Sequence, residues 1–137
     1  MSTVKKGGNL AYVGNEHTEY KYSYSEVEVP FGAGVMRGTN KETQCKLMTT
    51  GGKFLGVAKA YQKNVYDTES YPVQTSVEII TRGKVWVQVT TAVVAGDVAA
   101  CGAGGKFAVS GTSTYDDING VFETSSEANG YAILNLK

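Results

Sequence analysis

A chain of 137 residues carries 13 basic and 13 acidic side chains, one histidine, two cysteines and 17 glycines. That length fits one domain with a real core, burying roughly 68–70% of its unfolded surface. With Arg37 and Arg82 as its two arginines and no basic run longer than Lys5-Lys6, it lacks the electrostatic footprint of a nucleic-acid binder.

No apolar run approaches about 18 residues, so no membrane-spanning helix is expected. Residues 1–17 are polar, glycine-containing and aperiodic, without the apolar stretch of a signal peptide. Cys45 and Cys101 lie far apart, and no Asn-x-Ser/Thr sequon occurs. A soluble domain made inside the cell, with two reduced thiols, is the expectation.

Tyr20, Tyr22 and Tyr24 then alternate with Lys21, Ser23 and Ser25, a strand period. Beyond Ser25 the parity inverts, with Val27 and Val29 apolar and Glu26 and Glu28 polar. One slip in a strand swaps its faces. Either a bulge near Ser25 restores the register, or the tyrosines face a surface other than the core. Tyrosine combines apolar area with a polar tip, which suits a contact strip. We assign residues 1–25 to an extended N-terminal arm and residues 26–137 to a single β domain.

Short β-branched and aromatic runs bounded by Gly, Asn, Asp or Thr follow. Val77–Ile80 and Val85–Thr90 flank Thr81-Arg-Gly-Lys84, a pattern that predicts a hairpin closed around Arg82-Gly83. Val85, Val87 and Val89 share one face, and Trp86 stands on the other. Either this strand is buried on both faces, or Trp86 is an exposed interface anchor. Turns are predicted at Ala95-Gly-Asp97, at Gly102–Gly105, at Asn119-Gly120 and at Asn129-Gly130. No window shows helical periodicity with caps. The fold class is therefore all-β: a small, glycine-rich β-barrel or β-sandwich with an extended N-terminal arm.

Motifs for chemistry fail one by one. A Ser-His-Asp or Cys-His set would depend on His17, in the polar arm, with nothing to hold it against a nucleophile. Two distant cysteines and one histidine make no zinc site. Gly105-Lys106 is followed by Phe107 where a P-loop needs Ser or Thr, and Arg37 stands where Gly32-Ala-Gly34 needs a third glycine. Asp116-Asp117 reads as turn chemistry. No catalytic residue, metal or cofactor is expected.

Pro30-Phe-Gly-Ala-Gly-Val-Met-Arg-Gly-Thr39, Phe54-Leu-Gly-Val-Ala58, Gly83-Lys-Val-Trp-Val-Gln-Val89 and Val94-Ala-Gly-Asp-Val98 occur in that order. Gly104-Gly-Lys-Phe107, Phe122-Glu-Thr-Ser125 and Gly130-Tyr-Ala-Ile-Leu134 follow. Together they resemble the structural cement, or capsid decoration, proteins of tailed bacteriophages, over about residues 30–137. The resemblance implies a β-barrel-like domain on the outer surface of the virion capsid, made in the host bacterial cytoplasm. It also implies the phage major capsid protein as partner, a trimer at threefold positions, and an arm crossing neighbouring capsid subunits. Tyr12, His17, Tyr20, Tyr22 and Tyr24 are then the candidate capsid contacts. Two other readings stay open: a tail, neck or baseplate component, and a carbohydrate- or receptor-binding module stacking ligands on Trp86 and tyrosines.

Overall fold

β-Branched and aromatic runs pair into a nine-stranded sheet in the structure, a computed structural model that describes residues 6–11, 18–60 and 69–137. The strands are β1 (Glu19–Ser25), β2 (Val29–Pro30), β3 (Gly34–Arg37), β4 (Gln44–Leu47), β5 (Gly56–Ala58) and β6 (Ser70–Tyr71). They continue with β7 (Ser76–Gln88), β8 (Val98–Gly102), β9 (Lys106–Val109), β10 (Asp116–Phe122) and β11 (Tyr131–Leu136). Their order is β1-β4-β3-β5-β7-β11-β10-β8-β9, with β2 and β6 forming a separate ladder. Because β1 also pairs with β7, the first five strands close into a barrel. From β7 the sheet continues until Phe107 of β9 bridges back to Val89. Closure of this kind hides the main-chain edges that would otherwise template unwanted pairing.

The all-β expectation holds. The hairpin expected at Arg82-Gly83 does not: β7 runs through it as one strand of 13 residues. Each half of β7 finds partners distant in sequence. Ser76–Arg82 pairs with β1, and Gly83–Gln88 pairs with β11. Gly83 adopts φ +125° there, and a Cβ on it would stand 2.9 Å from Thr18 Oγ1. A register shift just before Gly83, with Thr81 the extra residue between Ile80 opposite Tyr20 and Arg82 opposite Glu19, switches faces. Ile79 points into the first barrel, while Ile80 and, past the glycine, Val85 point into the larger core.

Val29, Val35, Cys45, Ala58, Tyr71, Val77 and Ile79 fill the first core. The larger core is lined by Val85, Val87, Val89, Phe107, Phe122 and Leu134, and closes against Met48, Val57 and Ile80. Each such side chain contributes roughly 1.5–3 kcal/mol by leaving water.

Two expected turns are found: Gly96 has φ +98° and Asn129 φ +68°. Gly102–Gly105 also reverses the chain, from β8 into β9 through a short 3-10 turn. Asn119-Gly120 corrects the third expectation. It lies inside β10, where a register shift between Asp117 and Val121 absorbs the glycine as a bulge. Asp116-Asp117 is likewise strand rather than turn. The two carboxylates serve different donors: Asp116 accepts the Gly51 amide at 2.6 Å, and Asp117 accepts Ser110 Oγ at 2.7 Å.

The N-terminal region also needs correction. Residues 19–25, assigned by sequence to an arm, are a stave of the first barrel. Their serines face inward and their backbone pairs with β7 from Glu19↔Arg82 to Tyr24↔Ser76. Residues 6–11 lie along the other half of β7, with Leu10 opposite Val85. The Gly8 amide donates to Trp86 O at 2.8 Å, and the Trp86 amide donates to Asn9 O at 2.8 Å. The segment passes so close to the barrel that a Cβ on Gly32 (φ +85°) would stand 2.6 Å from the Gly7 carbonyl carbon.

Candidate functional site

Ser23 and Ser25 take the inward parity of β1, leaving the tyrosines outside. Tyr20 is 38% exposed, Tyr22 63% and Tyr24 58%. Of the two ways to explain the parity inversion, the outward-facing tyrosines are what is found. The strand simply ends at Ser25, so the alternation beyond it belongs to a different segment. Ser25 pins that end: its Oγ donates to Pro72 O at 2.5 Å and accepts the Thr75 amide at 2.9 Å, and its carbonyl accepts the Gln74 amide at 2.7 Å.

Those bonds bring exposed Val73 beside the end of β1, two residues from exposed Val27. Exposed apolar side chains thus lie at the end of the tyrosine-bearing strand, and exposed apolar groups of this kind are candidates for interaction surfaces. Sequence reasoning missed Val27 and Val73. Neither sits in a periodic run, and only the pinning of the 72–75 turn to Ser25 joins them to the tyrosines.

Tyr22 stands across from Glu78 and donates its hydroxyl to Oε2 at 3.3 Å. The neighbouring Glu78 charge holds the Tyr22 hydroxyl above the ordinary tyrosine pKa. Glu78 in turn lies 3.8 Å from Lys59. Glu26, next to Val27 in the chain, accepts both the hydroxyl and the amide of Thr39, which holds its carboxyl below the ordinary range. Glu78 and Glu26 are therefore each engaged with local partners. Tyr12 and His17 lie outside the described residues.

Trp86 is 6% exposed, packed with Ala11 and Ile133 and beside Tyr131. Of its two readings, burial on both faces of the strand is the one found: Val85 and Val87 fill the core behind it, and Ala11, Ile133 and Tyr131 pack against its front. An anchor role needs the indole at the surface, and this fold hides it.

Among the described residues no group of three His, Cys, Asp or Glu side chains is placed to hold a metal ion. Cys45 and Cys101 are free and buried, and burial pushes their thiols up to about 11 and about 12. A cleft of about 410 Å³ is lined in part by Phe31, Lys106 and Tyr131, with Lys6 ion-paired to Glu69 at its rim.

Comparison with known proteins agrees with this geometry. No curated protein sequence matches the chain. Among solved structures, the chain is similar to one titled "The capsid of Myoviridae Phage XM1", with a TM-score of 0.75 and 15% identity over 96% of this chain and 89% of that one. It is also similar to the head fiber gp8.5 N base of bacteriophage phi29, with a TM-score of 0.60 and 10% identity over 88% of this chain and 95% of that one. At such identities the likeness is one of fold. The family described as "Structural cement protein (E217 gp24/Pam3 gp6)" matches residues 4–137. With nearly the whole chain matched, the protein belongs to the phage structural cement protein family and is a structural, capsid-associated phage protein.

Proposed function

We propose that this protein binds the outer surface of an assembled phage head and stabilises it by bridging major capsid protein subunits. The observation that carries this reading is the outward-facing row of Tyr20, Tyr22 and Tyr24, with exposed Val27 and Val73 near the end of its strand. Tyrosine is enriched among the residues that dominate binding energy, and it keeps a polar tip solvated before docking. Residues ahead of β1, including Tyr12 and His17, add contacts on neighbouring subunits.

A clamp needs no chemistry. It needs to prefer the assembled shell over free subunits, and mass action then stabilises the shell by about 2.7 kcal/mol at a hundredfold excess over Kd. Touching several subunits makes the later contacts effectively intramolecular, so modest patches suffice. Trimeric association of the protein at threefold positions would supply that multivalency. Head rather than tail placement is supported by the descriptions of the two similar structures, a capsid and a head fiber base. Burial of Trp86 argues against the carbohydrate-binding alternative, which would use the indole as a stacking platform. Co-sedimentation of purified protein with undecorated heads tests the proposal. Wild type should pellet with heads, and a Tyr22→Ala/Tyr24→Ala variant should stay in the supernatant. Equal pelleting of both would reject this face as the docking surface.

A further inference from the structure

Three side chains with the chemistry to form a covalent cross-link meet on one face of β7, β11 and the end of β10. Lys84 of β7 is paired directly with Asn135 of β11. The Val89 amide bonds Gly130 O three register steps before Trp86↔Ile133 and five before Lys84↔Asn135, so by alternation these are non-hydrogen-bonded pairs. Side chains approach each other most closely in pairs of that type. Lys84 is a buried lysine, its side chain 9% exposed, beside the Trp86, Ile133 and Ala11 cluster. Lysine is rarely placed inside without a specific reason.

Glu123 completes the set. Its amide donates to Ile133 O at 2.7 Å, holding it alongside β11. One carboxylate oxygen accepts Asn135 Nδ2 at 3.2 Å, and the other lies 4.0 Å from Lys84 Nζ. One carboxylate therefore addresses both the amine and the amide.

We propose that Lys84 and Asn135 form an intramolecular isopeptide bond, with Glu123 as the proton-transfer group. Glu123 takes a proton from the Lys84 ammonium, and the freed amine attacks Asn135 Cγ. Glu123 then delivers the proton to the departing Asn135 nitrogen. The Nζ–Cγ bond forms and the Cγ–Nδ2 bond breaks; Nζ gives up a second proton as the amide forms, Glu123 relays it as well, and the Asn135 NH2 group departs with both protons as ammonium. No oxidant, reductant or cofactor enters the balance, and Glu123 ends as the carboxylate it began as. Fixed positions supply the proximity that makes amine attack on an amide feasible. The bond joins β7, which serves both cores, to β11, and reducing agents cannot break it.

Intact-mass spectrometry of the purified full chain under denaturing conditions tests this. The mass should be lower than the sequence mass by one ammonia, and proteolysis should release a branched peptide joining the Lys84 and Asn135 segments. Glu123→Gln and Lys84→Arg should each restore the full mass and two separate peptides. The wild-type measurement decides even if a variant fails to fold. Full mass with linear Lys84 and Asn135 peptides would overturn the proposal. So would an ammonia loss that persists in folded Lys84→Arg, since that loss must come from another asparagine.

Discussion

Ile80 and Val85 point into the same apolar core although their spacing along one strand should place them on opposite faces. A bulge makes this possible: Tyr20 faces Ile80 and Glu19 faces Arg82, so Thr81 is the extra residue that flips the alternation, and Gly83 follows it at φ +125°. A Cβ there would both strain the backbone and press on Thr18. Gly83→Ala should cost about 1–3 kcal/mol, the range for a side chain forced into such a conformation. Urea unfolding measures it, and an unchanged midpoint would refute the role given to this glycine.

The same position shows where local signals stop. Thr81-Arg-Gly-Lys84 has the composition of a hairpin turn, yet β7 passes straight through because β1, β5 and β11 offer partners to both of its halves. Non-local pairing outweighs a turn signal, and no local window contains it. Asn119-Gly120 failed likewise, absorbed as a bulge, whereas Asn129-Gly130 turned as its residues predict. The strand character of the valine runs and the alternation of the tyrosines were legible, because side-chain period reports directly on faces. Their direction was not. Whether Tyr20, Tyr22 and Tyr24 faced core or solvent depended on Ser23 and Ser25 being packed inside a barrel that only the full topology closes.

Truncation separates the arm from the barrel. Removing residues 1–24 takes away the stave that pairs with β7 and uncovers the edge beside Val77 and Ile79. That deletion should abolish the cooperative thermal transition. Removing residues 1–5 leaves the pairings of residues 6–11 with β7 in place and should keep the transition. Circular dichroism melts check both, and a folded 25–137 fragment would contradict the closure described.

Cys45 and Cys101 should resist thiol reagents in the native state at neutral pH, since burial holds both as neutral thiols. Their raised values also set a pH dependence. Below about 9 both states keep these protons, so the thiols leave stability unchanged. Above it the unfolded chain loses them first, and stability falls as pH rises towards about 11 and about 12. Replacing both cysteines by alanine should flatten that alkaline slope in unfolding midpoints. An equally steep slope would assign it to other groups.

Attachment to heads should depend little on salt. The chain has zero formal net charge, and the nearby carboxylates Glu26 and Glu78 are engaged with Thr39, Lys59 and Tyr22. Screening at moderate ionic strength then removes little. A steep decline in head binding between low and moderate salt would show that charge carries the interface.

Single substitution at Tyr22 should separate docking from folding. Its ring is mostly in water, so Tyr22→Ala should leave thermal melting essentially where it is. Head affinity should fall by about tenfold or more, as for a central aromatic contact. A melting temperature that falls together with affinity would make Tyr22 structural instead.

Binding to assembled heads compared with free major capsid subunits is the most direct test of the cement function. Purified protein, titrated against undecorated heads and against subunits at matched concentration, should saturate the heads at a fixed ratio and bind the subunits far more weakly. Equal affinity for both, or no binding to heads, would contradict it.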